Sequence, residues 1–96
     1  MITIKQYEQG KGGKFLILEK ENPAGEMTYR WEGKDKLVID HVETYLEYRG
    51  KNYGKMLVMK VIEFAQEKGA KILPLCSYAK LVMQRDELLK DMIFTE

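Results

Sequence analysis

The residues this chain has little of limit its chemistry before the rest is considered. It carries one cysteine, Cys76, one histidine, His41, and one serine, Ser77, in 96 residues. A lone cysteine excludes an internal disulfide and suits a reducing compartment, so the cytoplasm is the expected location. One Cys and one His cannot supply the ligand set of a structural zinc site, and no metal is expected. Around the only serine, Leu75-Cys76-Ser77-Tyr78-Ala79 lacks the Gly-x-Ser-x-Gly pattern of a nucleophile elbow. Excess charge is also missing. A net charge of +1 argues against the broad basic surface that nucleic acid or an anionic membrane would need. No apolar run approaches the roughly 20 residues of a membrane span. Met1-Ile2-Thr3-Ile4-Lys5 lacks the basic-then-apolar order of a signal peptide. There are no repeats and no low-complexity tracts. With 45% hydrophobic and 32% charged residues, the chain reads as one globular domain over residues 1–96.

The first half has strand periodicity. Ile2 to Tyr7 alternates and runs into the breaker Gly10-Lys11-Gly12-Gly13. Lys14 to Lys20 holds Phe15-Leu16-Ile17-Leu18, apolar on both faces and so a well-covered strand. Asn22-Pro23-Ala24-Gly25 signals a turn. Glu26 to Glu32 places Met27, Tyr29 and Trp31 on one face, Gly33-Lys34-Asp35 closes a hairpin, and Leu37 to Thr44 is the fourth strand. The period then changes. From Asn52 to Lys68, Leu57, Val58, Val61, Ile62, Phe64 and Ala65 recur at helical spacing, with Gly69 as the stop. Ala70 to Cys76 is a short fifth strand, Ser77 to Gln84 a second helix capped by Ser77, and Arg85 to Glu96 a loop or helical turn followed by a short extended piece around Met92-Ile93-Phe94. Met56 and Met59 are expected to fill the core. The fold class is α+β, a mostly antiparallel mixed sheet of five to six strands with two helices.

The segment Tyr48-Arg49-Gly50-Lys51-Asn52-Tyr53-Gly54-Lys55-Met56-Leu57 joins the fourth strand to the long helix. A glycine-bearing basic turn at a helix N-terminus gathers free backbone N–H groups and the positive end of the helix dipole, which suits a phosphate or pyrophosphate. It is not a Walker loop, because Lys-Met follows Gly54 where Lys-Ser/Thr is required. It is not a dinucleotide fingerprint, because only two glycines are present.

The segment does resemble the acyl-CoA pyrophosphate loop of the GNAT N-acetyltransferase superfamily, Arg/Gln-x-x-Gly-x-Gly/Ala at a helix start. Arg49 takes the first position, Asn52 the fourth and Gly54 the sixth. Asparagine replaces glycine at the fourth, and it is among the few residues that tolerate a left-handed backbone. A second stretch, Cys76-x-x-Ala79-x-x-x-Met83, stands where many members have Asn-x-x-Ala-x-x-x-Tyr; only the alanine matches. With His41 and Pro74-Leu75-Cys76-Ser77-Tyr78, the chain from Gly25 onward is similar to the small, single-domain branch of the superfamily. The resemblance implies acetyl-CoA as acyl donor. Arg49, Gly50, Lys51, Asn52, Tyr53, Gly54 and Lys55 would surround the pyrophosphate. Val42 and Thr44 would pair with the pantetheine arm, which enters beside Cys76. Lys51, Lys55 or Lys80 would meet phosphates, if they are not simply solvated.

Acetyl transfer needs a base for the amine and an acid for the leaving thiolate. His41 reads either as that base or as a strand histidine satisfied by backbone; its ordinary pKa of about 6.5 suits a base near neutrality. It is expected on the strand face shared with Ile39 and Glu43, with Asp40 opposite, so Glu43 can orient it or act as base itself. Cys76 has three readings: buried packing, proton donation to the CoA thiolate, or a thioester intermediate. Tyr78 is the alternative donor, since Met83 cannot donate a proton.

Only Gln9 to Gly13 separates the first two strands, leaving no room for the helical pair that larger members insert there. The acceptor site should therefore be shallow and open, fitting an exposed amine such as a protein side chain or a polyamine. A monomer or weak dimer is expected. Two rivals remain: a non-catalytic acyl-CoA-binding or sensing module, and an RNA-binding domain using Arg30, Arg49, Lys51 and Lys55. The near-neutral charge weighs against the second.

Overall fold

The computed structural model describes residues 1–95; Glu96 lies outside the described residues. The strands β1 (Ile2–Gln9), β2 (Gly12–Glu19), β3 (Asn22–Trp31) and β4 (Lys36–Thr44) form an antiparallel meander. A 3₁₀ turn (Leu46–Tyr48) leads to helix α1 (Tyr53–Glu67), and β5 (Lys71–Pro74) then joins β4 in parallel. Helices α2 (Ser77–Arg85) and α3 (Glu87–Lys90) follow, and Ile93 makes a single parallel bridge to Ile72. The sheet order is β1-β2-β3-β4-β5. It is the mixed sheet expected, and the loop or helical turn expected after α2 contains the one-turn helix α3.

Two turns differ from expectation. Gly12 and Gly13 belong to β2, and the first hairpin turns on Gly10-Lys11 alone, with Gly10 at φ 61°. The second hairpin turns at Lys20-Glu21, with φ of 50° and 71°, so Asn22 to Gly25 is strand. A two-residue hairpin loop favours positive φ at its centre, which matches the strand twist, and here strand pairing imposes it on two residues with no special tolerance for it. Pro23 is accommodated because an irregularity at Ile17/Leu18 lies opposite and β4 ends at Gly25↔Thr44, short of it.

The core lies between one sheet face and the helices. Phe15, Ile17, Met27, Tyr29, Leu37 and Ile39 meet Leu57, Val58, Val61 and Ala65 of α1, Ala79 and Met83 of α2, and Leu89 of α3. Phe64 closes the far end, its ring 5.8 Å from Phe15, 5.6 Å from Tyr29 and 5.9 Å from Trp31. Met56 and Met59 do not join this core. They lie on the outer side of α1, 37% and 41% exposed, because their positions fall off the stripe that Leu57, Val61 and Ala65 define. α1 ends as its glycine indicates: Gly69 takes φ 69° and the Ala70 N–H donates to Ala65 O at 2.8 Å.

Gly13 is required by Tyr29. The two residues pair across β2 and β3, and the Tyr29 ring crosses the glycine to accept a hydrogen bond from Gln6 Nε2 at 2.8 Å. A Cβ at Gly13 would lie 2.6 Å from the Tyr29 hydroxyl and 2.5 Å from Tyr7 O. Gly13→Ala is therefore expected to destabilise the protein by about 1–3 kcal/mol, the cost of overpacking, read as a lower urea midpoint. An unchanged midpoint would contradict this packing.

Candidate functional site

The site begins with an irregularity in β4. Tyr29 pairs with Ile39 and Thr28 with His41, so Asp40 is an extra residue. The Leu75 N–H donates to Ile39 O at 3.0 Å, which turns the Ile39 backbone towards β5. The Tyr45 N–H donates to Ala24 O at 2.9 Å, which turns Tyr45 towards β3. In a regular strand, residues an even number apart face the same neighbour. The extra residue reverses the parity, so the backbones of Val42 and Thr44 face away from β3. On that side β5 has already ended, since its pairing with β4 stops at Ile39↔Pro74. A gap opens there, edged by unpaired strand.

The same irregularity moves His41. It stands opposite Thr28 on the helix-free face, while Ile39 is buried in the core, so the two do not share a face as alternation predicts. Asp40 reaches Arg30 on that same face, Oδ1 to Nη1 at 3.1 Å, rather than pointing opposite to His41. His41 and Glu43 do share a face, and Nε2 lies 3.3 Å from Glu43 Oε1, with both side chains about half exposed.

At the other end of the gap stands the start of α1. Gly50 has φ 88°, and the N-cap Asn52 has φ 64°, the left-handed conformation that asparagine tolerates. Asn52 makes no side-chain cap bond, and the first helical bond is from Met56 N–H to Asn52 O. Among the described residues, no backbone acceptor takes the N–H groups from Gly50 to Lys55. Free donors curled through left-handed positions at a positive helix end make a concave anion site.

Gap and loop form one open cleft of about 360 Å³, lined by Val42, Glu43, Thr44, Arg49, Gly50, Asn52, Tyr53, Gly54 and Tyr78. Tyr78, in the first turn of α2, lies against the loop: a Cβ at Gly54 would come within 3.0 Å of its ring. The sixth position of the loop is therefore glycine for close approach, since Gly54 is already helical. Every residue lining the cleft is among those marked from sequence. Others marked there lie elsewhere. Cys76 is the N-cap of α2, half-buried against the core and outside the cleft, and Ser77 is the first helical residue, not the cap. Lys80 is exposed and outside the cleft, and Lys55 lines neighbouring grooves. Met83 is fully buried in the core.

Lys51 is turned to a partner the sequence did not reveal. Its Nζ lies 2.7 Å from Glu19 Oε1, and the Tyr53 hydroxyl donates to the same oxygen. Lys51 also lies 5.7 Å from the centre of the Tyr48 ring. The hydrogen bond from Lys51, then that from Tyr53, holds the Glu19 carboxyl below its ordinary value. The bond to Glu19 pushes Tyr53 up to about 12. This trio ties the loop to the end of β2. Nothing in the sequence pairs Glu19 with a residue 32 positions away.

The arrangement suits a ligand with an anionic group on an extended, amide-bearing arm, the anion on the loop and the arm along β4. A sheet split in this way before an anion-binding helix start is the architecture of an acyltransferase of the N-acetyl-transferase type. The sequence profile of the GCN5-related N-acetyl-transferases matches residues 14–92, and the chain belongs to that family. A GCN5-like protein from Staphylococcus aureus, solved by NMR, is 32% identical with a TM-score of 0.71, over 98% of this chain and 89% of that one. A GNAT family acetyltransferase from Elizabethkingia anophelis, solved with acetyl-CoA bound, is 15% identical with a TM-score of 0.71, over 88% of this chain and 72% of that one. The ribosomal-protein-S18-alanine N-acetyltransferase from Escherichia coli has a TM-score of 0.75 at 12% identity, over 88% of this chain and 76% of that one. No curated protein sequence matches the chain. Among the described residues no helix is long and apolar enough to cross a membrane.

Asn52→Gly should leave stability within about 0.5 kcal/mol, while Asn52→Val should cost about 1–2 kcal/mol, because a β-branched residue is strained at φ 64°. Equal urea midpoints for the two variants would show that the left-handed turn is not maintained. The Glu19 trio gives a pH signature. A lowered carboxyl pKa stabilises the fold above the unfolded value, near 4.5, and loses that contribution as pH falls through the lower folded value. A raised tyrosine pKa stabilises below the unfolded value, near 10, and is lost as pH rises towards about 12. The stability difference between wild type and Glu19→Gln should be flat between these limits and shrink at both ends. A difference independent of pH would contradict the trio.

Proposed function

We propose that this protein transfers the acetyl group of acetyl-CoA to an exposed amine. The observation that carries the reading is the run of free N–H groups from Gly50 to Lys55, set at the end of the unpaired edge of β4. The residues fit the donor: Arg49 and the loop amides meet a pyrophosphate, Val42 and Thr44 offer backbone to the pantetheine amides, and Gly54 leaves room where a side chain would intrude. The whole chain, residues 1–96, acts as one catalytic domain in this reading. Its lone cysteine suits the cytoplasm.

The chemistry divides across β4. Val42 and Thr44 lie on the helix side, opposite Met27 and Gly25, whereas Glu43 lies on the helix-free side, opposite Glu26. Tyr78 borders the cleft from α2. Glu43, backed by His41, takes a proton from the acceptor ammonium, and the neutral amine attacks the thioester carbonyl from the helix-free side. The C–N bond forms and the C–S bond breaks; the Tyr78 hydroxyl gives a proton to the departing sulfur, the second proton on the new amide nitrogen passes through solvent to restore the tyrosine, and Glu43 returns its proton to water. Met83 and Cys76 take no part, the first because it is wholly buried and the second because it lies outside the cleft.

Two features favour a cationic, accessible acceptor. Glu26 and Glu43 stand directly opposite one another, an arrangement unfavourable for the sheet and favourable for a bound cation. The hairpin at Gly10-Lys11 carries no helices that would wall off this face. A polyamine or a protein amine fits better than an enclosed small molecule.

In an assay of free CoA released with spermidine or a lysine peptide as acceptor, Glu43→Gln and Tyr78→Phe should each lower kcat/KM on the order of 10²-fold. Tyr78→Phe keeps the ring against Gly54 and removes only the hydroxyl. Wild-type rates in both variants would overturn the assigned roles. The second reading, an acyl-CoA-binding module without turnover, is favoured by the buried methionine where the family pattern has tyrosine. It predicts tight acetyl-CoA binding with no CoA release for any acceptor.

A further inference from the structure

The two edges of the sheet differ. At β5 the chain covers its own edge: the Ile72 N–H donates to Met92 O and the Phe94 N–H donates to Ile72 O, both at 2.7 Å. β1 is the other edge. Among the described residues, no hydrogen bond beyond the pairing with β2 reaches the backbone from Ile2 to Gln9. No proline, glycine or bulge interrupts that strand, so it lacks the usual devices that blunt an open edge. The direction of its free groups follows from the hairpin. A two-residue loop makes Gln9↔Gly12 the closing hydrogen-bonded pair, and at the far end the Lys20 N–H donates to Met1 O at 3.1 Å. The odd residues of β1 therefore bond to β2, and the N–H and C=O groups of Ile2, Ile4, Gln6 and Glu8 point away from the sheet.

On the helix side of this edge lies an open groove of about 910 Å³, bordered by Ile4, Met56, Met59, Ile62 and Leu88. Met56, Met59 and Leu88 are the apolar residues of α1 and α3 that the core leaves exposed. The charges on the rim are mostly matched within the chain. Lys51 lies 2.7 Å from Glu19 and Lys60 3.4 Å from Glu63, which leaves Lys55 unmatched among the described residues. A groove so nearly neutral does not select a highly charged partner and does not repel a copy of itself.

We propose that β1 pairs antiparallel with β1 of a second copy about a two-fold axis, joining the two sheets into one. The outward groups meet only when even residues face even residues, and the side chains choose among the registers that allow this. Centring the axis on Lys5 sets the two lysines opposite one another, which is unfavourable. Centring it on Gln6 places Glu8 of the second copy beside Ile4 in the apolar groove. Centring it on Tyr7 leaves Ile2 and Ile4 unpaired, and centring it on Thr3 pairs too few residues. With the axis on Ile4, the two Ile4 residues face each other on the groove side, and Ile2 of each copy lies beside Gln6 of the other. Thr3 then faces the second copy's Lys5 on the helix-free side. A closed two-fold of this kind uses both open edges and leaves none for further growth. The acyl-transfer cleft stays free, since β4 lies three strands from the junction. The inference does not depend on the acetyl-CoA reading.

Sedimentation equilibrium and amide hydrogen exchange of the ¹⁵N-labelled protein over a concentration series test this. Fewer residues meet than in a standard interface, so the dimer should form with a Kd on the order of 100 μM. Thr3, Lys5 and Tyr7 should be protected at every concentration by β2. Ile4 and Gln6 should gain protection only as the dimer forms, and Glu8, beyond the paired stretch, should gain none. Thr3 is exposed, so its substitution leaves the monomer folded. Thr3→Glu sets a carboxylate against Lys5 on both sides of the axis and should tighten association about 5-fold, while Thr3→Lys should weaken it by about the same factor. A protein that stays monomeric up to about 1 mM would overturn the proposal. So would a dimer in which the Ile4 and Gln6 amides gain no protection. Equal effects of the two Thr3 variants would overturn the register.

Discussion

If β4 alternated without interruption from Leu37 to Thr44, the backbones of Val42 and Thr44 would turn towards β3 and leave no free groups at the gap. The extra residue at Asp40 prevents this. It reverses the backbone parity at the point where β5 departs, and it moves His41 and Glu43 together onto the helix-free face. The gap, the unpaired edge and the separation of Glu43 from Tyr78 all depend on that one insertion. The exposed Arg30–Asp40 pair beside it contributes little energy, as surface ion pairs do. What holds the bulge is the pairing of β3 with β4 on both sides of it.

The second requirement is a helix start held in place with its donors free. Burial of Leu57, Val58, Val61 and Ala65 fixes α1 on the sheet, and the link from Lys51 and Tyr53 to Glu19 fixes the loop ahead of it. Those contacts lie to one side, so the amides from Gly50 to Lys55 stay uncommitted. Tyr78 covers the same helix start from α2 and can approach closely because residue 54 is glycine. An anion site built on backbone donors needs this kind of external support, because the loop has few interactions of its own.

Much of this was legible in the chain. The period change after Thr44, the glycine stop at Gly69 and the spacing of Arg49, Asn52 and Gly54 are local signals, and local signals can be read from sequence. The cleft-lining residues were accessible for the same reason: most belong to one contiguous stretch. What could not be read depends on pairing between distant strands. The turn at Lys20-Glu21 has no turn residues, and the register of β2 with β3 imposes it. The bulge at Asp40 has no glycine to announce it, so plain alternation places His41 with Ile39 when it shares a face only with Glu43. Glu19 became part of the site only through a contact from β2. Met56 and Met59 do fall within the helical pattern, but their phase on α1 places them outside the core stripe. Of the three readings open for Cys76, packing is the one that its position against the core and outside the cleft favours.

The central claim is that one loop holds a pyrophosphate while one strand edge holds the arm attached to it. Amide chemical shifts of the ¹⁵N-labelled protein, followed during titration with acetyl-CoA and then with acetyl-pantetheine, test both halves at once. The account predicts that acetyl-CoA shifts Gly50, Lys51, Asn52, Gly54, Val42 and Thr44. Acetyl-pantetheine, which lacks the pyrophosphate and nucleotide, should shift only Val42 and Thr44. Loop amides that stay in place at saturating acetyl-CoA, or that move equally with both ligands, would contradict it.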